Sequence, residues 1–403
     1  MRGEGNDEEL LRLCAEKSRA LLDRNRVPEG ILAASPTPRA MARNYDRVFA
    51  RDAMISSLFM LRSRDRSLEG SAIASIDSLA NGQAANGQIP NFVGGGVSDW
   101  WYIGCPDATL WWLIAVDEAR HLLSHIPDVK TRWKLHADLA IQWLLGQEHQ
   151  GFFLIPQGVA ADWADVMPRS GFVLYTNALW YAAKRRWGLS NMEQTRRRFN
   201  QFFLSLRQSP PIEDDDRRAH VLLKYAHRGH DSSKSRTTGL GLSFVTLTGS
   251  GREGDVMGNV LSILSGVVGY SRARSIIDVL HRAGVADRYP VRALVTPIVK
   301  KHKLWCKYMT RHRQNHPWQY HNGGYWPVIG GFWVLALVAL GQMKQAREDL
   351  VKLARANELG SWRFSEWLHG RTCAPSGMPG QTWNAGMFLL AKLTIDSDRP
   401  FVL

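Results

Sequence analysis

Apolar residues recur at intervals of three and four along most of this chain, and alternating strand patterns are scarce. The clearest of these segments are residues 10–22, 71–80, 109–123, 134–145, 173–187, 259–268, 273–283 and 382–393. Such spacing predicts helices that bury one face. At about 33 residues per helix and connection, the 403 residues have room for roughly a dozen helices. We therefore predict an all-α protein. A toroid of helical hairpins is favoured over an α-solenoid because no fixed sequence period is visible.

No stretch of the chain resembles an interdomain linker, so we predict one domain over residues 1–403, with about residues 1–40 as an N-terminal helix and lead-in. Residues 325–342 carry no charge and could pass for a membrane span. This segment is solitary and has Pro327, Gly330 and Gly331 near its start, so a buried core helix is predicted and no membrane partner is expected. The N-terminus, MRGEGNDEELL, is acidic and polar, unlike a signal peptide, which predicts a cytoplasmic protein.

The formal net charge of +14 raises the question of nucleic-acid binding, as do the basic runs at 196–198 and 300–303. No zinc-ligand spacing, RNA-recognition box or basic heptad accompanies these runs. A solvated surface is therefore favoured, and no nucleic-acid partner is expected. The cysteines Cys14, Cys105, Cys306 and Cys373 are scattered and form no CxxC pair. This pattern predicts free thiols in a reducing compartment.

The segment GSGREG at 249–254 fits the GxGxxG fingerprint of dinucleotide-binding proteins. No alternation of strands and helices surrounds it, and no acidic residue lies at about the twentieth position beyond it to bind a ribose. We therefore interpret the segment as a loop between two helices.

The loops between the predicted helices are rich in Gly, Pro and aromatic residues. They are residues 86–96, 98–108, 155–171, 318–327 and 364–383. Loops that combine glycines, rings and carboxylates are typical of a binding cleft, because they allow close backbone approach, stacking and acid–base chemistry. Trp100, Trp101 and Trp163 are candidate stacking residues in these loops, although a tryptophan is more often part of a core.

One of these loops, ADWADVMPRSG at 161–171, places two aspartates three positions apart around a tryptophan. Hydrolysis of a glycosidic bond requires a protonated and an ionised carboxyl group on opposite sides of the sugar. Nearby rings and a second carboxylate raise the pKa of such an acid. The alternative is that one aspartate caps a helix beginning near Pro168 and that the other is solvated.

Six short segments, taken in order along the chain, resemble the motifs of inverting glycoside hydrolases with an (α/α)6 barrel. They are ARDA (50–53), PDATLWW (106–112), DWADVMPR (162–169), YHNGGYWP (320–327), FSEWLHG (364–370) and GQTWNAG (380–386). The resemblance runs from about Asn44 to Leu393. It is strongest to the alkaline/neutral invertases and to the catalytic part of bacterial glycogen-debranching (amylo-α-1,6-glucosidase) proteins. It implies an all-α (α/α)6 barrel that hydrolyses O-glycosyl bonds with inversion.

The resemblance also implies the catalytic pair. Asp165 precedes Arg169 by four residues, as the general acid does in several relatives, so Asp165 is the preferred acid and Asp162 the alternative. Glu366, the only carboxylate in FSEWLHG, corresponds to the general base that activates water. A solvated Glu at the end of a helix is the alternative. An inverting mechanism predicts that the carboxyl groups of Asp165 and Glu366 lie about 6.5–9.5 Å apart.

Further residues are implied to bind the substrate. Arg51 and Asp52 would hold sugar hydroxyls, a buried ion pair being the alternative. Asp107 would be another hydroxyl acceptor or, alternatively, a helix N-cap. Trp163 and Arg169 would also bind the substrate, and His321, Asn322, Trp326, Gln381 and Trp383 would wall the pocket. A structural role in satisfying loop backbone groups remains open for His321.

No metal or cofactor is needed, because acid, base and water complete the reaction. The expected substrate is an oligosaccharide or a glucosyl conjugate with an α-glucosidic bond, cleaved by exo attack. This chain has DWADVMPRSG where the invertases have a longer segment ending in Asp-Arg-Arg, so cleavage of sucrose is the less favoured alternative. A catalytically silent carbohydrate-binding protein on the same barrel is the alternative from another class. The sequence is compatible with a homo-oligomer.

Overall fold

The computed structural model describes residues 4–100, 105–204, 221, 223–224 and 236–403. About half of the described residues are helical (51%) and 9% are in strands. The thirteen described α-helices, numbered in chain order, are α1 Glu4–Arg24, α2 Pro38–Met41, α3 Ala50–Met60, α4 Arg66–Asn81, α5 Pro106–Leu122, α6 Lys134–Gln147, α7 Leu174–Trp187, α8 Met192–Phe203, α9 Val256–Leu264, α10 Tyr270–Arg282, α11 Pro327–Ala339, α12 Met343–Trp362 and α13 Thr382–Ser397. A short 3-10 helix covers Lys307–Thr310.

Six of these helices form a closed inner ring. Each packs against the next in the order α3, α5, α7, α9, α11, α13, and α13 then packs against α3. A second set lies outside the ring: α1 against α12 and α13, α4 against α3, α6 against α5, α8 against α7, α10 against α9, and α12 against α11. Two concentric rings of helices are the (α/α)6 barrel, so the fold prediction is confirmed.

The inner helices are buried on nearly all sides, and their sequences explain why. Every residue of α3 and of α9 is buried, and α11 is buried from Pro327 to Val338. A helix enclosed by neighbours is apolar all round rather than along one stripe. The uncharged segment at 325–342 is therefore the core helix that we predicted. Within the described part of the chain, no helix is long and apolar enough to cross a membrane.

The strands are short and lie in the loops between helices. They are β1 Arg26–Val27, β2 Gly30–Ile31, β3 Val48–Phe49, β4 Phe92–Gly94, β5 Val97–Asp99, β6 Pro156–Gln157, β7 Gly171–Val173, β8 Phe244–Thr246, β9 Gly249–Ser250, β10 Trp367–Leu368 and β11 Pro375–Ser376. All are antiparallel: two hairpins (β1-β2 and β10-β11), one three-stranded sheet (β3-β4-β5) and one four-stranded sheet (β6-β7-β8-β9).

Two details of the sequence interpretation were wrong. The GSGREG segment is not a loop between two helices, because its first residues form β9 in a hairpin with β8, where Val245 pairs with Ser250. The helix predicted over 259–268 begins earlier and ends earlier, at Val256 and Leu264. Helices α3, α8 and α12 lie outside the segments in which we found a one-sided apolar pattern.

Candidate active site

The N-terminal ends of the inner helices meet at one end of the barrel. Arg51, the second residue of α3, lies 3.2 Å from Asp107, the second residue of α5. Tyr175, the second residue of α7, donates a hydrogen bond of 3.2 Å to Asp107. On the other side, Trp326 directly precedes α11, and its ring lies 6.0 Å from that of Trp383 in the first turn of α13. Helix N-termini carry partial positive charge, which favours carboxylates here.

A cavity of about 390 Å³ opens at this end of the barrel. Its lining combines carboxylates, cations and aromatic rings contributed by several loops and helix N-termini. The lining residues are Ala33, Arg43, Tyr45, Phe49, Arg51, Asp52, Asn91, Trp163, Asp165, His312, Gln314, Tyr320, His321, Trp326, Glu366 and Trp383. The six segments that carry the resemblance contribute to this one place or to its immediate support.

Glu366 is a buried carboxylate held at three points just before β10. The residue is 5% exposed, and its backbone N–H donates to the carbonyl of Met378 at 2.9 Å. Its Oε2 accepts from the backbone N–H of Met378 at 2.9 Å, and its Oε1 accepts from the Tyr45 hydroxyl at 2.7 Å. Burial raises the pKa of Glu366, while these two hydrogen bonds oppose the rise. The carboxylate is thus fixed in orientation within the cavity.

Asp165 faces the same cavity and is more accessible than Glu366. Its side chain is 25% exposed, and its Oδ1 lies 3.8 Å from Nδ1 of His321. Burial lowers the pKa of His321 well below its usual value, so the ring beside Asp165 is neutral. His321 stacks on Trp326 with ring centroids 4.9 Å apart. The negative charge of Asp165 contributes to the raised pKa of Glu366, which indicates that the two carboxyl groups share one electrostatic environment.

Asp162, the alternative acid, does not line the cavity. It is 2% exposed and accepts hydrogen bonds from the Ala164 backbone N–H (2.7 Å), from Gln157 (3.0 Å) and from Arg169 (3.2 Å). Arg169 lies behind the lining as well, where it also donates to Asp255, the residue before α9, at 2.7 Å. Asp162 and Arg169 therefore support the loop that carries Asp165.

Arg51 and Asp52 both line the cavity, and both are 7% exposed. Arg51 forms its ion pair with Asp107 rather than with Asp52. Burial raises the pKa of Asp52 to about 7, although the neighbouring Arg51 lowers it. Asp107 is fully buried, holds Arg51 from beneath and does not line the cavity. It is not the N-cap of α5, because that position belongs to Cys105.

Four of the predicted aromatic site residues lie at the cavity. Trp163, His321, Trp326 and Trp383 line the cavity, and the rings of Trp163 and Trp326 lie 5.3 Å apart, edge to face. The indole N–H groups of Trp163 and Trp383 are buried and have no hydrogen-bond partner among the described residues.

Two predicted wall residues lie behind the cavity instead. Asn322 is fully buried and holds loop backbone, accepting from the Ile298 N–H at 2.7 Å and donating to the Ile298 carbonyl at 2.8 Å. Gln381 is the N-cap residue of α13, and its buried side-chain amide has no hydrogen-bond partner within the described part of the chain. Trp100 is 43% exposed and does not line the cavity. Trp101 lies outside the described residues.

The sequence did not reveal several lining residues. Tyr45 is the most consequential of these, because it contacts Glu366 across 321 positions of sequence. Tyr45 lies six residues before Arg51, and no sequence motif marks it as a site residue. Asn91 and Tyr320 lie in loops that we did identify. The set is completed by Ala33, Arg43, Phe49, His312 and Gln314. Among the described residues, no group of three or more His, Cys, Asp or Glu could hold a metal ion.

Comparison with known proteins supports the resemblance. A sequence model of the alkaline and neutral invertase family matches residues 255–398. "Probable alkaline/neutral invertase F" of Arabidopsis thaliana is 22% identical over 433 residues, which cover 92% of this chain and 84% of the relative. "Alkaline/neutral invertase CINV2" of the same plant is 28% identical over 145 residues, and this match spans only 25% of its length.

Solved structures show the same architecture. The GH63 mannosylglycerate hydrolase from Thermus thermophilus, in complex with Tris and D-glycerate, superposes with a TM-score of 0.62 at 15% identity, covering 94% of this chain and 100% of that chain. A structure described as wild-type glycosidase gives a TM-score of 0.60 at 13% identity, with 98% of each chain covered. The fold, the carboxylate-lined cavity and these matches together indicate a glycoside hydrolase.

Proposed function

We propose that this protein is an inverting glycoside hydrolase that cleaves an α-glucosidic bond, with Asp165 as general acid and Glu366 as general base. The supporting observation is that these two carboxyl groups line one cavity in different surroundings. Glu366 is buried and fixed by Tyr45 and Met378, whereas Asp165 is a quarter exposed beside the neutral ring of His321. The hydrogen bonds from Tyr45 and Met378 favour the ionised form of Glu366, which a general base requires.

In this mechanism Asp165 donates its proton to the glycosidic oxygen as the bond to the leaving group breaks. Glu366 accepts a proton from a water molecule, and that water attacks the anomeric carbon from the opposite face. The product is β-glucose. The hydrogen bonds from Tyr45 and Met378 restrict the Glu366 carboxylate to one orientation. The attacking water is therefore held in a defined place.

The remaining lining residues would bind the terminal sugar. Asp52 accepts from sugar hydroxyls, and Arg51, held by Asp107, donates to them. The rings of Trp163, Trp326 and Trp383 provide flat apolar surfaces. A cavity of about 390 Å³ with a single acid–base pair suits exo attack on a short substrate.

The identity of the glucoside is tested with a panel of substrates. Sucrose is included because the relatives are named invertases. Mannosylglycerate is included because a structural neighbour is named a mannosylglycerate hydrolase. Isomaltose, panose and maltotriose cover α-1,6 and α-1,4 bonds. Proton NMR should detect the β anomer first. Asp165→Asn and Glu366→Gln should abolish the signal, while Asp396→Asn, at an exposed position on α13, should not.

Initial release of the α anomer would contradict inversion. Full activity in either active-site variant would contradict the assigned roles. Binding of a sugar without turnover of any compound would favour a silent carbohydrate-binding protein on the same barrel.

We also propose that the protein acts in the cytoplasm. Its four cysteines are free thiols, as we predicted, and one relative from rice is named cytosolic invertase 1. Other relatives are named mitochondrial or chloroplastic. Fluorescence microscopy of the tagged protein in its own cell type is the direct test.

A further inference from the structure

The cavity has an acidic interior and a basic mouth. Three carboxylates line its inner part: Asp52, Asp165 and Glu366. The one cation beside them, Arg51, is already paired with Asp107. At the opening, by contrast, Arg43 and His312 line the cavity and are both solvent-exposed. Among the lining residues, none of the carboxylates is solvent-exposed.

The two basic residues belong to segments that contact different members of the catalytic pair. Arg43 follows α2 and lies two residues before Tyr45, whose hydroxyl bonds to Glu366. The charge of Arg43 lowers the pKa of Glu366, against the larger effect of burial, so this guanidinium lies on the side of the base. His312 lies three residues before Asn315, which donates to the carbonyl of Val166 at 3.1 Å. Val166 is adjacent to Asp165, so His312 lies on the side of the acid.

Arg43 is available for a ligand. Its guanidinium makes no hydrogen bond and no ion pair with any other residue in the described ranges, although several arginines nearby, such as Arg47 and Arg51, are paired. An arginine is charged at every physiological pH and presents a planar set of donors that matches carboxylate and phosphate groups. At the mouth of a cavity, such a group attracts anions and fixes their orientation.

This distribution of charge selects a substrate with two different ends. A ligand that entered with an anionic end first would be repelled by Asp52 and Glu366, whereas a neutral sugar would not. With the neutral sugar at the bottom of the cavity, the leaving group lies at the mouth, beside Asp165 and between Arg43 and His312. We propose that Arg43 and His312 form a leaving-group subsite for an anion, so that the substrate is a glycoside of a small acid. This inference rests on the proposed function and defines its substrate class.

The test uses two matched pairs of compounds in which only the charge of the leaving group differs. The first pair is 2-O-α-glucosylglycerate and 2-O-α-glucosylglycerol, which tests a carboxylate. The second is sucrose 6′-phosphate and sucrose, which tests a phosphate. Binding is measured by calorimetry to the Glu366→Gln protein, so that the result does not depend on turnover. At least one anionic member should bind about tenfold more tightly than its neutral partner, since the guanidinium forms charge-assisted hydrogen bonds with an anion.

Three substitutions in the Glu366→Gln background assign the effect. Arg43→Gln should remove most of the preference for the anion, and Arg43→Lys should retain part of it, because lysine keeps the charge but not the planar donors. Arg39→Gln is the matched control, since Arg39 is exposed on the neighbouring helix α2 and does not line the cavity. The preference should also weaken as salt is raised.

Equal binding of charged and neutral partners in both pairs would overturn the proposal, as would an anion preference that Arg43→Gln leaves unchanged. A preference confined to one pair identifies the anion. Failure of the proposed function is a separate result: anion-dependent binding without hydrolysis by the wild type would remove the enzyme assignment and leave the subsite. Hydrolysis of neutral glucosides without any preference for the anionic compounds would keep the enzyme assignment and remove the subsite.

Discussion

Tyr45 and Glu366, which are 321 residues apart in sequence, are joined by a hydrogen bond of 2.7 Å from the phenol to Oε1. The bond links the segment before α3 to the loop before β10, on the two sides of the contact between α3 and α13 that closes the inner ring. Glu366, the proposed base, is therefore oriented by a residue that lies far from it in the sequence.

Replacing Tyr45 with Phe should slow catalysis without unfolding the protein. Loss of the hydrogen bond frees Glu366 to rotate, and kcat should fall roughly tenfold to a hundredfold. The bond also lowers the pKa of Glu366, so its removal raises that pKa further. A base must be ionised, and the acidic limb of the pH profile of kcat/KM should therefore move to higher pH. Tyr270→Phe, at an exposed position on α10, is the control. An unchanged acidic limb would contradict this role.

Gly377 makes room for Glu366, and replacing it with Ala should displace the base. A Cβ built on Gly377 would lie 2.6 Å from the Cβ of Glu366, closer than such atoms approach one another. Gly341 provides a matched control, because it has a similar φ (+72° against +76°) but no atom within 4 Å of its added Cβ. Both alanines should cost about 1 kcal/mol from backbone strain. Only Gly377→Ala should reduce kcat more than tenfold, and equal activity of the two variants would refute the argument.

The stability of the protein should respond to Asp52 between about pH 4 and pH 7. Burial raises the pKa of Asp52 in the folded state to about 7, above its value of about 3.9 when unfolded. The folded state therefore binds more protons in this range, and its stability falls as pH rises through 7.

Asp52→Asn cannot ionise and should lose this dependence. Its free energy of unfolding relative to wild type should increase from pH 4.5 to pH 8 by on the order of 2 kcal/mol, as measured by urea denaturation. Asp396→Asn, which changes an exposed carboxylate, should show no comparable trend. A constant difference between Asp52→Asn and wild type at the two pH values would contradict a raised pKa.

Asp162 and Asp165 should separate into a structural and a catalytic residue. Asp162→Ala leaves Arg169 buried with one of its two carboxylate partners missing, which should cost about 3–5 kcal/mol in the free energy of unfolding. Asp165→Ala removes a partly exposed side chain and should change stability by less than about 1 kcal/mol while abolishing turnover. Chemical denaturation and a kinetic assay on the same samples measure both quantities. The opposite pattern would make Asp162 the acid.

The apolar pattern predicted the helices that pack along one face, but not all of those that form the inner ring. The sequence of α3, ARDAMISSLFM, shows no single apolar stripe because every one of its residues is buried by a neighbour. The helix is buried on all sides because the ring closes around it. The spacing of apolar residues within its eleven positions does not predict that closure. Helix α8 was missed for the opposite reason, since most of its residues are polar or charged.

Residue type identified the loops of the site more readily than it identified which side chains face the cavity. Asp107 and Asn322 are of the types that bind sugars, yet each is fully buried and satisfied by neighbours. Arg43 and Tyr45 reach the cavity because the turn after α2 brings their loop over Glu366, a contact that depends on tertiary packing. One-dimensional spacing carries no information about such a contact.

Closure of the ring by α13 against α3 also determines when the site can exist during synthesis. A ribosome makes Tyr45 and Asp52 early, Asp165 next, and Glu366 only when more than nine-tenths of the printed sequence has been translated. Because the last inner helix must dock beside the first, the proposed acid is synthesised well before the proposed base. The cavity therefore contains both carboxyl groups only after the ring of helices has closed.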